Sequence, residues 1–324
     1  MVRPNDAAPH PLALITHGTP REATERAEMT PLRWIPQARE FARRGWTAVI
    51  VMRRGFGDSG GGYAELSHAC SRFPNYMGAT EQAVKDLREA TAYLETLPEV
   101  DRSRMISIGV STGGLATVGL TADPLPGLVA AINFAGGRGS EAPDQVCNPD
   151  DLMETFAELG KRSRVPMLWI YAANDHYFGP ALAQNFYRAF TQNGGKATFI
   201  AAGPYGEDGH HLFSLGGIPI WTPMVDDFLK SQNLVLRDTL LEVSIPAIQP
   251  PAYLSNGGRD GFQTYLLSAP HKAFAASPVR GYSFSVGQRT TQKAEELALD
   301  GCKKQAAANT QCSVVMIDDK EAGN

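Results

Sequence analysis

Ser111 lies in Gly109-Val110-Ser111-Thr112-Gly113-Gly114, directly after the apolar run Met105-Ile106-Ser107-Ile108 and before the helix-forming Leu115-Ala116-Thr117-Val118. A serine between glycines on a strand-to-helix turn has its hydroxyl lifted above the sheet, where it can attack a carbonyl. A hydroxyl is a weak nucleophile, so this chemistry needs an imidazole to take its proton and a carboxylate to orient the imidazole. Asn174-Asp175 follows the apolar run at 167–171, and Gly209-His210-His211 follows the run at 197–201 after a glycine-bearing loop. Asp175 and His210 are the candidate partners. Asp144, Asp150, Asp151, Asp226 and Asp227 compete for the acid, and His211 competes for the base. Asp175 could also serve as a loop carboxylate or cap ahead of Pro180. Short serine patterns arise in ordinary glycine-rich turns as well, so the elements around them decide.

Those elements alternate. Apolar runs at 11–16, 47–52, 105–108, 128–134, 167–171 and 197–201 read as buried strands. Between them, helical spacing predicts helices over 30–45 (Thr30 as cap and Pro31 in the first turn), 80–96, 150–159 and 180–191, with a closing helix over 223–229. Strand–helix alternation specifies an α/β fold, a parallel sheet with helices on both faces. Chemistry on such a sheet gathers at the C-terminal strand ends. Residues 111, 175 and 210 all follow strands, in the order Ser, Asp, His.

The 324 residues are 43% hydrophobic and 20% charged, with a formal net charge of −4. No basic run attracts a phosphate backbone, so nucleic acid is not expected as a partner. No apolar run approaches the roughly 20 residues of a membrane span, and residues 1–10 lack the apolar segment of a signal peptide. Gly55-Phe56-Gly57 lacks the third glycine and helix start of a dinucleotide site. No cofactor or metal is expected.

The motifs His17-Gly18-Thr19-Pro20, Arg54-Gly55-Phe56-Gly57-Asp58-Ser59-Gly60, Gly109-Val110-Ser111-Thr112-Gly113, Leu168-Trp169-Ile170-Tyr171 with Asn174-Asp175, and Asp208-Gly209-His210-His211-Leu212-Phe213 span residues 12 to about 230. With them the chain resembles an α/β-hydrolase and is similar to the dienelactone hydrolase-like group. Two features depart from that pattern. Ser111 stands where some members carry cysteine, which moves the expectation toward general ester hydrolysis. Antiparallel strands before the first parallel strand are absent, which suggests a trimmed or misassigned start and with it a lost export signal. An acyl-transfer site also needs two donors for the developing oxyanion, and the backbone N–H groups of Thr112 and Thr19 are the candidates. His17 reads as a structural residue of its loop, and Arg53, Arg54 and Asp58 as an ion pair or loop brace. Alternatively, Arg54 or Arg138 meets a substrate carboxylate. Tyr177 and Phe178, with Tyr63, Phe134 and Tyr205, would either line an apolar pocket or simply pack.

The hydrolase domain is expected over residues 1–244. Residues 245–324 follow as a proline-rich linker and a small α+β domain, with a helix at 261–267, strands at 272–276, 282–286 and 312–317, and a helix whose stripe is Ala294, Leu297, Ala298, Gly301 and Cys302. That part resembles a small cysteine-bearing module found at the ends of some bacterial exported proteins. Cys302 and Cys312 are expected to pair, since so small a unit gains from a staple. A second bridge between Cys70 and Cys147 is plausible at the site mouth, and buried free thiols are the alternative for all four. Two bridges would place the protein in the periplasm or outside the cell; without them it would be cytoplasmic. The expected activity is a serine esterase for small or medium esters, because the connection from 134 to 167 is too short for a large lid. The competing readings are a serine peptidase with the same three residues and a binding protein on an inactive hydrolase core. The substrate is expected to be a small molecule; composition does not specify an oligomeric state.

Overall fold

Strands that alternate with helices can share one sheet only through crossovers, and right-handed crossovers make that sheet parallel. The computed structural model describes residues 1–306 and 310–323. Its elements are β1 (His10–Thr16), α1 (Ile35–Arg43), β2 (Thr47–Val51), α2 (Tyr76–Leu94), β3 (Val100–Val110), α3 (Thr112–Ala122), β4 (Leu128–Phe134), β5 (Ser140–Ala142), β6 (Gln145–Val146), α4 (Pro149–Arg162), β7 (Met167–Ala172), α5 (Pro180–Gln192), β8 (Ala197–Ala202), α6 (Ile218–Ser231), α7 (Asn256–Leu267), β9 (Ala273–Ala276), β10 (Tyr282–Ser285), α8 (Thr291–Gln305), β11 (Ser313–Ile317) and β12 (Lys320–Glu321). Six strands form the parallel sheet in the order β2-β1-β3-β4-β7-β8.

Both faces of this sheet are covered, which is why its strands read as continuous apolar runs. Met167, Trp169 and Tyr171 alternate onto one face and pack with Phe156 of α4 and Phe186 and Phe190 of α5. Leu12, Leu14, Val49, Val51 and Met105 pack with Ala83 and Leu87 of α2 and Leu120 of α3. The register sets Thr16 beside Gly109, Val110 beside Phe134, and Phe134 beside Ile170. Strands β1, β3 and β4 therefore end within a residue of one another, β7 runs two residues further, and the segments after residues 16, 110, 134 and 172 leave from one edge.

The chain divides into two compact units, Met1–Ala27 with Gln37–Leu241, and Glu28–Pro36 with Glu242–Asn324. The second holds a four-stranded antiparallel sheet, β10-β9-β11-β12. Phe262, Tyr265 and Leu266 of α7 pack with Phe274 and Met316, while Ala294, Ala298 and Cys302 of α8 pack with Ala273 and Ala275.

Several boundaries differ from the periodicity. The first helix is preceded by a tight turn, Pro31–Trp34, in which the Thr30 hydroxyl accepts the Leu32 N–H at 3.2 Å. Helix α2 begins at Tyr76, four residues early, because Asn75 caps it by accepting the Gly78 N–H at 2.9 Å. Helix α7 starts at Asn256, capped by Ser255; two glycines in its first turn hide it from propensity. Helix α6 starts at Ile218 and carries Pro223 inside. The hairpin β5–β6 and the second unit's claim on Glu28–Pro36 carry no hydrophobic pattern of their own.

All four cysteines are paired: Cys70 with Cys147, 77 residues apart, and Cys302 with Cys312, 10 apart. Protein denatured without reductant should show no reactive thiol, and four after reduction. Replacing Cys302 and Cys312 by serine should cost about 2–3 kcal/mol, read as an earlier denaturant midpoint. A free thiol in the unreduced protein would contradict the pairing.

Candidate active site

Ser111 follows β3 at φ 57°, ψ −124°, a backbone conformation that costs a non-glycine residue roughly 1–3 kcal/mol and survives only where neighbours enforce it. They do so through three hydrogen bonds. Its N–H donates to Phe134 O at 3.0 Å, and its carbonyl accepts from Leu115 N–H and Gly137 N–H, each at 3.1 Å. The turn is also closed sterically. A Cβ on Gly113 would lie 2.4 Å from the His17 carbonyl oxygen, and one on Gly18 would lie 2.9 Å from Ser111 Cβ. The loop after β1 and the serine turn thus press together. Among the described residues Ser111 Oγ has no hydrogen-bond partner.

The structure brings Asp175 to His210, not to His211. The buried Asp175 carboxylate lies 3.1 and 3.2 Å from His210 Nδ1, and its Oδ1 also accepts the N–H groups of Tyr177 at 2.7 Å and Phe178 at 2.8 Å. This arrangement puts the proton on Nδ1 and leaves Nε2 free. Asp208, which the sequence offers only as part of the motif around His210 and with no role of its own, accepts the His210 N–H at 2.9 Å and the His176 N–H at 3.1 Å, tying the two loops together. Its signal was present as an acidic cap two residues before His210. The Tyr177 ring stacks on His210 at 3.8 Å and 12°, the Arg21 guanidinium covers the Tyr177 ring at 3.6 Å, and Phe178 meets the imidazole edge-on. The competing acids lie elsewhere. Asp144 pairs with the exposed His176, Asp150 and Asp151 sit in the first turn of α4, and Asp226 binds Arg44.

A cavity of about 310 Å³ opens at this edge, with Ser111, Thr112, Thr19, Arg138, Tyr177 and Phe178 among its walls. Thr112 is the first residue of α3, so its N–H has no intrahelical acceptor. The Thr19 N–H has no acceptor among the described residues either, and the two threonine hydroxyls bond each other at 2.8 Å. Tyr63 lines the cavity as well; Phe134 stacks on Phe213 in the core, and Tyr205 bonds Ser214.

Arg53 and Arg54 form braces, with partners the sequence did not mark. The carboxylates that meet them are Glu65 and Asp86, 12 and 32 residues away. Arg54 lies outside the cavity wall, and Arg138 reaches the wall but is paired with Glu65. Among the described residues the one trio of potential metal ligands is Cys70, Glu141 and Cys147, whose sulfurs are joined in the disulfide.

His17 is fully buried. Its Nδ1 donates to Gly18 O at 2.7 Å and its Nε2 accepts the Arg53 N–H at 3.2 Å. Burial, and then the Arg53 guanidinium, hold its pKa down at about 3. Burial would raise Glu65, but Arg53 and Arg138 outweigh it and hold that carboxyl at about 2. Both folded values are depressed, so both contributions are complete above the unfolded values and fade as pH falls, His17 from near 6.5 and Glu65 from near 4.5. Stability should fall by about 2 kcal/mol between pH 7 and pH 5 on account of His17 alone. Urea melts at the two pH values check this, and His17→Gln should remove that slope; an unchanged slope in the variant would contradict a neutral buried His17.

Solved structures similar to this chain include the Pyrococcus horikoshii acylaminoacyl peptidase, at 15% identity, TM-score 0.50, over 74% of this chain and 40% of that one. They also include the Pyrococcus furiosus esterase Pf2001, at 15% identity, TM-score 0.47, over 70% and 82%, and a Thermogutta terrifontis esterase, at 19%, TM-score 0.48, over 73% and 90%. This chain spans less than half of the peptidase, and likeness at such identity concerns the fold alone. No curated protein matches the chain. The model of the dienelactone hydrolase family matches residues 38–211, more than half of the chain and the stretch that carries β2 through His210. The chain belongs to the dienelactone hydrolase family.

Proposed function

We propose that this hydrolase-family chain is a serine esterase that cleaves small or medium esters through an acyl-enzyme. The observation that carries the reading is the Asp175–His210 contact, with Nδ1 held by the carboxylate and Nε2 left free, next to Tyr177 and Phe178, which share a cavity wall with the strained Ser111. His210 Nε2 takes the Ser111 proton as Oγ attacks the ester carbonyl, and the tetrahedral oxyanion accepts from the Thr19 and Thr112 N–H groups. The imidazolium then gives its proton to the leaving alcohol. Water, deprotonated by His210, attacks the acyl-enzyme, and the acid leaves as Ser111 recovers its proton. The mechanism requires a Ser111–His210 hydrogen bond in the substrate complex; its absence without substrate is compatible with the role, because catalytic hydrogen bonds often tighten only when substrate is bound.

The cavity supports the size limit. At about 310 Å³ it suits a small ligand, and the connection from β4 to β7 holds only a short hairpin and α4. The two disulfides support work in an oxidising compartment. No helix among the described residues is long and apolar enough to cross a membrane.

Wild type should be labelled by a fluorophosphonate probe and hydrolyse an activated short-chain ester at least tenfold faster than the matching amide. Ser111→Ala should abolish labelling and lower kcat by about 10⁴-fold or more, and Asp175→Asn by roughly 10³–10⁴-fold. Faster amide cleavage would favour the peptidase reading. An unlabelled wild type would leave a binding protein on an inactive core.

A further inference from the structure

Arg53 donates through all three guanidinium nitrogens inside the protein, beneath the cavity. Nε meets Glu65 Oε1; Nη1 donates to Thr16 Oγ1 and His17 O, each at 2.6 Å; and Nη2 donates to Thr112 Oγ1 at 3.2 Å and Glu65 Oε2 at 3.3 Å. Its backbone N–H holds His17 Nε2, and Glu65 in turn receives Arg138 from the loop after β4. One buried fork therefore touches the segments that leave β1, β2 and β3, and through Glu65 the segment that leaves β4. The contact to Thr112 continues outward, because Thr112 Oγ1 bonds Thr19 Oγ1 at 2.8 Å.

We propose that Arg53 is a positioning residue for the oxyanion site: through the Thr112–Thr19 hydroxyl bridge it sets the spacing and direction of the two backbone N–H groups that receive the developing charge. The inference rests on the esterase reading. Backbone amides stabilise an oxyanion only when fixed before it forms. Thr112 is fixed by its helix, but Thr19 lies in an irregular loop, and the bridge is the side-chain hydrogen bond that ties it to the serine turn. Guanidinium geometry suits this role. A planar fork can meet a carboxylate, two hydroxyls and a carbonyl at once, whereas an ammonium cannot reproduce that set. The Glu65 carboxylate pairs the buried charge, so the fork is held without solvent.

The test separates positioning from support of the fold. Thr112→Val keeps the backbone N–H and the side-chain shape but cuts the bridge. It should lower kcat for an activated ester about 10- to 30-fold, with KM within twofold. Thr112→Ser, which restores the hydroxyl, should recover activity to within about threefold. Thr19→Val combined with Thr112→Val should be no worse than Thr112→Val alone, since that substitution already cuts the bridge. Arg53→Lys, monitored for folding by circular dichroism, should lose about 100-fold in kcat. A boronic acid that mimics the tetrahedral state should weaken in proportion to kcat in every variant, while inhibition by the product acid stays unchanged. Wild-type kcat in Thr112→Val, failure of Thr112→Ser to recover, or additive losses in the double variant would overturn the proposal while leaving the esterase reading intact. Wild type without esterase activity would overturn both.

Discussion

A left-handed backbone at a residue with a side chain is unfavourable, and Ser111 holds one only because its surroundings leave no alternative. Strand β3 fixes the chain before it, helix α3 fixes the chain after it, and the exits of β4 and β1 bond or press against it. Each constraint depends on strands that end within a residue of one another, and the parallel register supplies that. A sheet slipped by one residue would lose the Ser111 N–H bond to Phe134 and bring a different atom beneath Gly18. The strain is thus an expression of the whole sheet. It lifts the hydroxyl clear of the backbone that would otherwise cover it.

Two further layers keep the edge in order. Beneath it lies the buried Arg53–Glu65–Arg138 cluster, where an unpaired charge would be severely destabilising and the pairing therefore holds the strand exits in one geometry. Above it, the Cys70–Cys147 bridge joins the segment before α2 to the residue just after hairpin β5–β6, and Glu65 through Ala69 and Gly139 through Glu141 from these two stretches line the cavity. On the far side, Asp208 and Asp175 use backbone N–H donors to hold the loops that carry His210 and Tyr177. The Arg21–Tyr177–His210 stack then leaves the imidazole one ring plane. Loops that would be mobile on their own become a fixed wall.

Much of this was legible in residue order. Alternating apolar runs and helical stripes specify the parallel sheet, and the meeting of Asp175 with His210 follows from their places after consecutive strands. The cysteine pairs were visible as positions, one pair in connections and one around a helix end. What could not be read was long-range polar pairing. Nothing near Glu65 marks it as the partner of Arg53 and Arg138, because an ion pair leaves no periodicity and Asp58 is nearer in sequence. The same holds for the Thr19–Thr112 bridge, where two unremarkable hydroxyls meet 93 residues apart. Local chemistry also hid two helix starts, since side-chain caps at Asn75 and Ser255 begin helices ahead of their apolar stripes.

In the proposed mechanism Ser111 carries the acyl group during turnover. The most direct measurement of this step is acid quench of the protein during hydrolysis of an activated short-chain ester, followed by peptide mapping by mass spectrometry. One acyl adduct is expected, on the peptide containing Ser111, forming within the burst and disappearing when substrate is exhausted. Turnover with no adduct at Ser111, or with the acyl group on another side chain, would contradict that mechanism.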